Sequence, residues 1–301
     1  NVTSKAAVAS YNLIGKKDKI AADKATVDSM RNNLNQLNIK GKIVIGEGEL
    51  DEAPMLYIGE KVGTRNGPEI DIAVDPLEGT NFAANNLPGA LSVIAIAEKN
   101  NLFNAPETYM EKISANVNEK GVVDLDYSTK ENIFNLCEYL NKKPESITAC
   151  IMDRPRHKDI IDELNILGVK VKLITDGDVS GALLVTDDKY GVDIFLGIGG
   201  GPEGVLAAAA LDTFECSFQG RFLFHTEKDK RSAKRMGITN LSKKYELNEI
   251  VKGDTIFCAT GITSGDLVSG IRTKNNEFIT ETLVTHKSTG LKKIIKKVEN
   301  R

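Results

Sequence analysis

The densest run of chemically capable side chains in the chain is Asp75-Pro76-Leu77-Glu78-Gly79-Thr80. Two carboxylates, a hydroxyl and the amides of a glycine turn fall together there, a set suited to a divalent cation held beside a phosphate. Pro76 lacks a backbone donor and is expected to end the preceding strand, while Gly79 admits a backbone angle that other residues avoid. A proline-containing turn is the plainer alternative. Gly46-Glu47-Gly48-Glu49 places two more carboxylates between glycines, directly after a short apolar run, where a polar turn is the competing reading. Asp23 stands four residues before Val27 on what reads as the apolar stripe of a helix. It is either a cap or a buried carboxylate that needs a cation.

A second set lies further along. Arg154-Pro155-Arg156-His157-Lys158 carries two guanidiniums stiffened by a proline, a pattern suited to a phosphate. Surface charge paired with Asp153 and Asp159 is the alternative, and His157 reads as a helix-start residue rather than a ligand. Asp176-Gly177-Asp178 suits recognition of sugar hydroxyls, or else a turn with Asp178 as a helix N-cap. Tyr109 reads as a packed aromatic with a wet hydroxyl. Gly199, Gly201 and Gly204 satisfy the GxGxxG spacing of dinucleotide sites. Against that reading, the motif lies deep in the chain, Pro202 removes an amide from the cradle, and Glu203 would repel a pyrophosphate but could hold a metal ion.

Regular elements must hold these groups. A helix is expected over 20–37, with Val27, Met30, Leu34 and Leu37 at helical spacing. Short apolar or alternating runs at 43–45, 70–74 and 90–97 read as strands. From 147 onward strands at 147–152, 169–174 and 193–197 alternate with helices at 157–167, 179–185 and 202–211. That rhythm predicts a parallel sheet with covering helices and a domain boundary near 141–145, giving domains over 1–143 and 144–301. The basic tail from Lys287 to Arg301 reads as a solvated helix face rather than a binding patch.

The whole chain of 301 residues is long enough for two domains, each able to bury its own core. Lys and Arg number 39 against 42 Asp and Glu, a net charge of −3, which argues against a dedicated nucleic-acid binder. No apolar run approaches the ~18 residues of a membrane span, and the polar first residues lack a signal-peptide core. The first residue is not Met, so leader residues are expected to precede it. The four cysteines are far apart and form no CxxC pair, which sets aside zinc ribbons and thioredoxin chemistry and predicts free thiols in a cytoplasmic protein.

Taken together, these motifs resemble those of the class II fructose-1,6-bisphosphatases, within the sugar and inositol phosphatase superfamily. The strings carrying the resemblance are IVIGEGELDEAPMLYIGE (43–60), DPLEGTNF (75–82), NAPETYMEK (104–112), RPRH (154–157), DGDVSGALL (176–184) and GIGGGPEGV (197–205), in the family's order along nearly the whole chain. Glu78 stands where many superfamily members have Asp, and Arg154 where relatives have Lys. The segment from Phe224 to Met236 looks shorter than in relatives, and nothing functional is placed there.

The resemblance implies a layered α-β-α-β-α sugar-phosphatase fold of two α/β domains, with the active site between them. It implies one metal site from Asp23 and Glu47, and a second from Asp75, Glu78 and Glu203. Substrate contacts carry over to Glu78, Gly79, Thr80, Tyr109, Arg154, Pro155, Arg156, Asp176, Gly177, Asp178 and Gly200. An all-carboxylate ligand set selects two or more Mn²⁺ or Mg²⁺ ions. The implied reaction is hydrolysis of the 1-phosphate of fructose 1,6-bisphosphate in gluconeogenesis. Thr80, Glu47 and Glu78 are its expected catalytic residues, and Thr80 positions the attacking water or attacks itself. Sedoheptulose 1,7-bisphosphate or an inositol phosphate is the nearest alternative substrate, and a dinucleotide-dependent oxidoreductase is a remote one. No nucleic-acid or membrane partner is expected; a homodimer or homotetramer is.

Overall fold

A computed structural model of the chain describes residues 1–48 and 56–301. Glu49 and the middle of the 43–60 string lie outside the described residues. The chain divides into two compact units, Asn1–Asn104 with Val251–Arg301, and Ala105–Ile250. The first unit begins with α1 (Val2–Ala9), α2 (Lys19–Leu34), β1 (Lys40–Ile45), β2 (Lys61–Val62), β3 (Glu69–Glu78), α3 (Thr80–Asn85) and β4 (Leu91–Glu98). The second contains β5 (Tyr109–Ala115), α4 (Thr129–Leu140), β6 (Thr148–Met152), α5 (Lys158–Ile166), β7 (Lys170–Ile174) and α6 (Asp178–Leu183). It continues through β8 (Ile194–Gly200), α7 (Gly201–Phe214), β9 (Ser217–Leu223), α8 (Glu227–Arg235), β10 (Lys244–Glu246) and α9 (Leu247–Ile250). The first unit is completed by β11 (Thr255–Gly261), β12 (Arg272–Lys274), β13 (Glu277–His286) and β14 (Leu291–Asn300).

Among the described residues, the first unit's sheet has eight strands in the order β12-β13-β11-β4-β3-β1-β2, with β14 also paired to β13. Burial of Val27, Met30 and Leu34 with Ile43, Ile72 and Val74 fixes α2 in the core of this unit. The chain caps α2 with Asp18, whose Oδ1 accepts from Ala21 N at 2.9 Å. Asp23 is therefore not a cap. Leu37 falls beyond the helix and is 39% exposed.

Pro76 does not end its strand, contrary to expectation. The pairing to β4 skips from Asp75↔Val93 to Glu78↔Leu91. A bulge absorbs the missing donor and the ladder resumes beyond it.

The second unit's sheet runs β10-β9-β5-β8-β6-β7. Only part of it is parallel as expected: β6 runs parallel to β7 and β8, but β5 is antiparallel to both β8 and β9. Its core unites Ile113, Ile133, Leu136, Ile147, Leu164 and Ile194. The units also differ from the boundary expected at 143/144. β5 pairs into the second sheet, and the last four strands return to the first. The basic tail is not a helix: β14 pairs with β13 from Leu291↔His286 to Asn300↔Glu277. Among the described residues, no helix is long and apolar enough to cross a membrane.

Candidate active site

The first unit gathers carboxylates at one end of neighbouring parallel strands. Ile45, the last residue of β1, pairs with Ala73, and Glu47 and Asp75 each follow two residues further on, Glu47 beyond β1 and Asp75 still within β3. Gly46 is needed here because a Cβ would run into the Leu56 carbonyl, and Glu47 N donates to that carbonyl at 2.9 Å. Asp75 Oδ1 accepts from Leu77 N at 3.1 Å, which closes the proline turn. Glu78, past the bulge, is buried. Gly79 then takes a left-handed backbone with φ at 77° and starts α3 at Thr80, which is half-buried. A Cβ on Gly79 would lie 2.8 Å from the Phe82 ring, so both angle and space demand glycine. α2 packs against β3 and α3. On it Asp23 is half-buried, and burial alone pushes its carboxyl above the usual range.

The second unit brings most of its predicted residues together around the carboxyl end of β8. The β5–β8 register sets Tyr109 opposite Gly200. Arg156 stacks over the Tyr109 ring at 4.8 Å, and its Nε and Nη2 donate to the Ile198 carbonyl at 3.0 and 2.8 Å. Arg154 instead donates to its own neighbour, the Asp153 carbonyl, at 2.9 Å. Gly177 is left-handed, with φ at 81°, and is itself the N-cap of α6, so Asp178 is the first helical residue and not the cap. Asp178 is buried and ion-paired with Lys112. Glu203, in the first turn of α7, lies against Gly200 so closely that a Cβ there would overlap its carboxylate. Burial pushes the Glu203 carboxyl up; Lys112 opposes the shift, and Asp178 and Asp176 add to it.

His157 is a structural residue, buried with both ring nitrogens engaged. Ile198 N donates to Nε2 at 2.7 Å, so the proton sits on Nδ1 and is donated to the Met152 carbonyl at 2.6 Å. Burial lowers its pKa below the ordinary histidine value. Gly197, with φ at 140°, leaves room for that ring: a Cβ there would lie 3.1 Å from Nε2.

Two neighbours of this cluster escaped the sequence reading. Lys112 sits at an inward position of β5, between Met110 and Ser114, and its lone cationic type on that buried face was the available signal. His225 meets the Tyr109 ring edge-on at 6.2 Å; it lies in the segment where nothing functional was placed.

The donor chemistry of Asp23, Glu47, Asp75, Glu78 and Glu203 suits a hard divalent ion. All are carboxylates, and burial leaves two of them, Asp23 and Glu203, reluctant to hold a charge without a cation nearby. Among the described residues, no three His, Cys, Asp or Glu side chains close into a metal-holding group. The fit therefore rests on ligand type and on the register of β1 and β3, which sets Glu47 and Asp75 each two residues past the Ile45↔Ala73 pair.

The family profile described as bacterial fructose-1,6-bisphosphatase, glpX-encoded, matches residues 1–299. A fructose-1,6-bisphosphatase 1 class 2 of Escherichia coli (strain K12) is 45% identical over 296 residues, covering 94% of this chain and 88% of the relative. A D-fructose 1,6-bisphosphatase class 2/sedoheptulose 1,7-bisphosphatase of Synechococcus sp. (strain JA-3-3Ab) is 42% identical over 308 residues, covering 94% and 89%. Among solved structures, an inositol monophosphatase from Anabaena (Nostoc) sp. PCC 7120 aligns with a TM-score of 0.31 at 12% identity, over 62% of this chain and 68% of that one. On the full-length profile match and these identities, the chain belongs to the class 2, bacterial fructose-1,6-bisphosphatase family.

Proposed function

We propose that this chain hydrolyses the 1-phosphate of fructose 1,6-bisphosphate to fructose 6-phosphate and inorganic phosphate, as a divalent-metal-dependent enzyme of gluconeogenesis in the cytoplasm. The observation that carries the reading is the family match along residues 1–299. The clustering of Tyr109, Arg156, Asp178, Gly200 and Glu203 within the second unit supports it.

We assign Asp23, Glu47, Asp75 and Glu78 in the first unit, and Glu203 in the second, as ligands of Mn²⁺ or Mg²⁺. When bound, such ions would polarise the phosphoryl oxygens and lower the pKa of a water. The chain's own groups do the rest. The Thr80 hydroxyl orients the attacking water, and the amides of Gly79 and Thr80 hold phosphoryl oxygens as charge moves to the leaving oxygen. Arg154, Pro155 and Arg156 form the loop that anchors the distal 6-phosphate, with Tyr109 as the platform beneath Arg156. Asp176, Gly177, Asp178 and Gly200 read the sugar. The assembly is a homodimer or homotetramer.

A second substrate has specific support. The Synechococcus relative carries sedoheptulose 1,7-bisphosphatase in its name, and the distal anchor asks only for a second phosphate. The dinucleotide alternative is disfavoured because the Glu203 carboxylate lies against Gly200, where a pyrophosphate would meet an anion.

Phosphate release should be measured with fructose 1,6-bisphosphate, sedoheptulose 1,7-bisphosphate and inositol 1-phosphate, each with Mg²⁺ and Mn²⁺. The expected result is turnover of one or both bisphosphates well above the monophosphate. Preference for inositol 1-phosphate, or no phosphate release from any of them, sinks the reading. Titration with NADH should give no fluorescence change.

A further inference from the structure

We propose that Lys112 is a positioning residue for sugar recognition: its ammonium fixes Asp178 and the end of β8 so that one oxygen of Asp178 is turned toward substrate. The proposal rests on the substrate contacts assigned above.

Lys112 is 1% exposed, and a lysine is almost never buried unless its charge is met. Its alternation with Met110 and Ser114 along β5 puts it on the inward face, where an apolar side chain would pack at less cost. Nζ is met twice. It pairs with Asp178 Oδ2 and donates to the Gly200 carbonyl at 2.7 Å. These are two of the residues assigned to the sugar, one on α6 and one on β8.

The strand opposite is bare where the carboxylates lie. A Cβ on Gly199 would overlap the Asp178 carboxylate, and one on Gly200 would overlap that of Glu203. Two consecutive glycines thus leave the space that Lys112 organises.

The second oxygen separates this arrangement from a structural ion pair. Asp178 is 7% exposed, and among the described residues its buried Oδ1 has no hydrogen-bond partner. Buried carboxylate oxygens are ordinarily paired, and a pair serving stability alone would be expected to satisfy both. Lys112 engages Oδ2, which leaves Oδ1 as the oxygen that would accept from a sugar hydroxyl.

The test is a double-mutant cycle read in two ways, by KM and kcat for fructose 1,6-bisphosphate and by the Kd of fructose 6-phosphate from calorimetry with Mn²⁺ present. Lys112→Met should raise KM and Kd about ten- to a hundredfold, the scale of one charge-assisted hydrogen bond, with a much smaller fall in kcat. On an Asp178→Ala background the same substitution should add less than about twofold, because the group it acts through is gone. Equal effects in both backgrounds overturn the proposal, as does an unchanged KM and Kd in the single variant.

Lys112→Met leaves Asp178 as a buried, unpaired charge and could fail to fold. Lys112→Met/Asp178→Asn removes both charges at nearly constant volume. It should melt near the wild type yet keep the raised KM and Kd, and wild-type values for both would overturn the proposal. A wild-type protein that turns over no sugar bisphosphate overturns the functional reading itself. An active wild type with additive variants overturns only the role of Lys112.

Discussion

Thr80 shows how much one residue is asked to do. It is the first residue of α3, half-buried, and directly follows a left-handed glycine and the buried Glu78. As a turn residue it would tolerate alanine at under about 1 kcal/mol of stability. As the group that orients water, its loss falls on kcat, because the contact strengthens only in the transition state. Thr80→Ala should therefore lower kcat at least about a hundredfold with KM little changed, on the scale of general acid–base assistance. Thr80→Ser should keep a substantial part, since the hydroxyl survives while the methyl that fixes its rotamer is lost. Steady-state kinetics at saturating Mn²⁺ decides it, and near-wild-type kcat in the alanine variant leaves only the backbone amides of this turn at work.

Arg156 is held for a different task. Two bonds to the Ile198 carbonyl and stacking on Tyr109 fix an otherwise exposed guanidinium. Arg156→Ala should raise KM for the bisphosphate about tenfold, the low end for a charge-assisted contact because solvent screens the site. Arg156→Lys should recover only part of that, since an ammonium cannot reproduce the forked bond to Ile198 and the stacking together. An equal loss on a small monophosphate would instead place Arg156 at the reacting phosphate.

At the scale of elements, the motifs that proved legible are those at strand ends. Asp75–Thr80 carries the end of β3 into α3, the Arg-Pro-Arg loop follows β6, Asp176–Asp178 joins β7 to α6, and Gly197–Gly204 spans the join of β8 and α7. Glycine, proline and paired charges mark such ends in any sequence, because they answer to local backbone needs. What was not legible depends on distant partners. Leu291, Ile294, Ile295 and Val298 recur at helical spacing, yet the chain turns at Gly290 and lays them along β13 as a strand. Lys112 reads as one polar residue in a strand until α6 and β8 are packed around it.

His157 belongs to this scale too, since it ties the end of β6 to β8 through Met152 and Ile198. Its folded pKa is lowered by burial, so the unfolded chain takes up its proton at higher pH than the folded one. The stability from neutral His157 is complete above the unfolded value of about 6.5 and declines as pH falls below it. Thermal melts should show a falling Tm from about pH 6.5 toward 5. His157→Gln should flatten that slope, and an identical slope in the variant would assign it to other groups.

Across the whole molecule, the chain leaves the first unit after Asn104 and returns at Val251; of the proposed ligands, Asp23, Glu47, Asp75 and Glu78 belong to the first unit and Glu203 to the second. Burial raises the carboxyl pKa of Asp23 in the first unit and of Glu203 in the second. An acid with a raised folded pKa stabilises the fold while protonated, and that contribution is lost as pH rises from its unfolded value through its folded one. At neutral pH the metal-free chain therefore holds both groups at a cost that a bound cation would remove. Three results follow for the intact protein. EDTA should abolish phosphate release, and Mn²⁺ or Mg²⁺ should restore it. Mn²⁺ should raise Tm more at about pH 7.5 than at about pH 5, where protons compete for the same oxygens. Glu203→Gln, which keeps the shape but removes the charge, should raise the Tm of the metal-free protein and shrink the rise that Mn²⁺ produces. Melts of wild type and variant at both pH values, with and without Mn²⁺, check all of this except the activity. A Tm indifferent to Mn²⁺ at pH 7.5, or full activity in chelator-treated protein, would remove these carboxylates from any role as ligands.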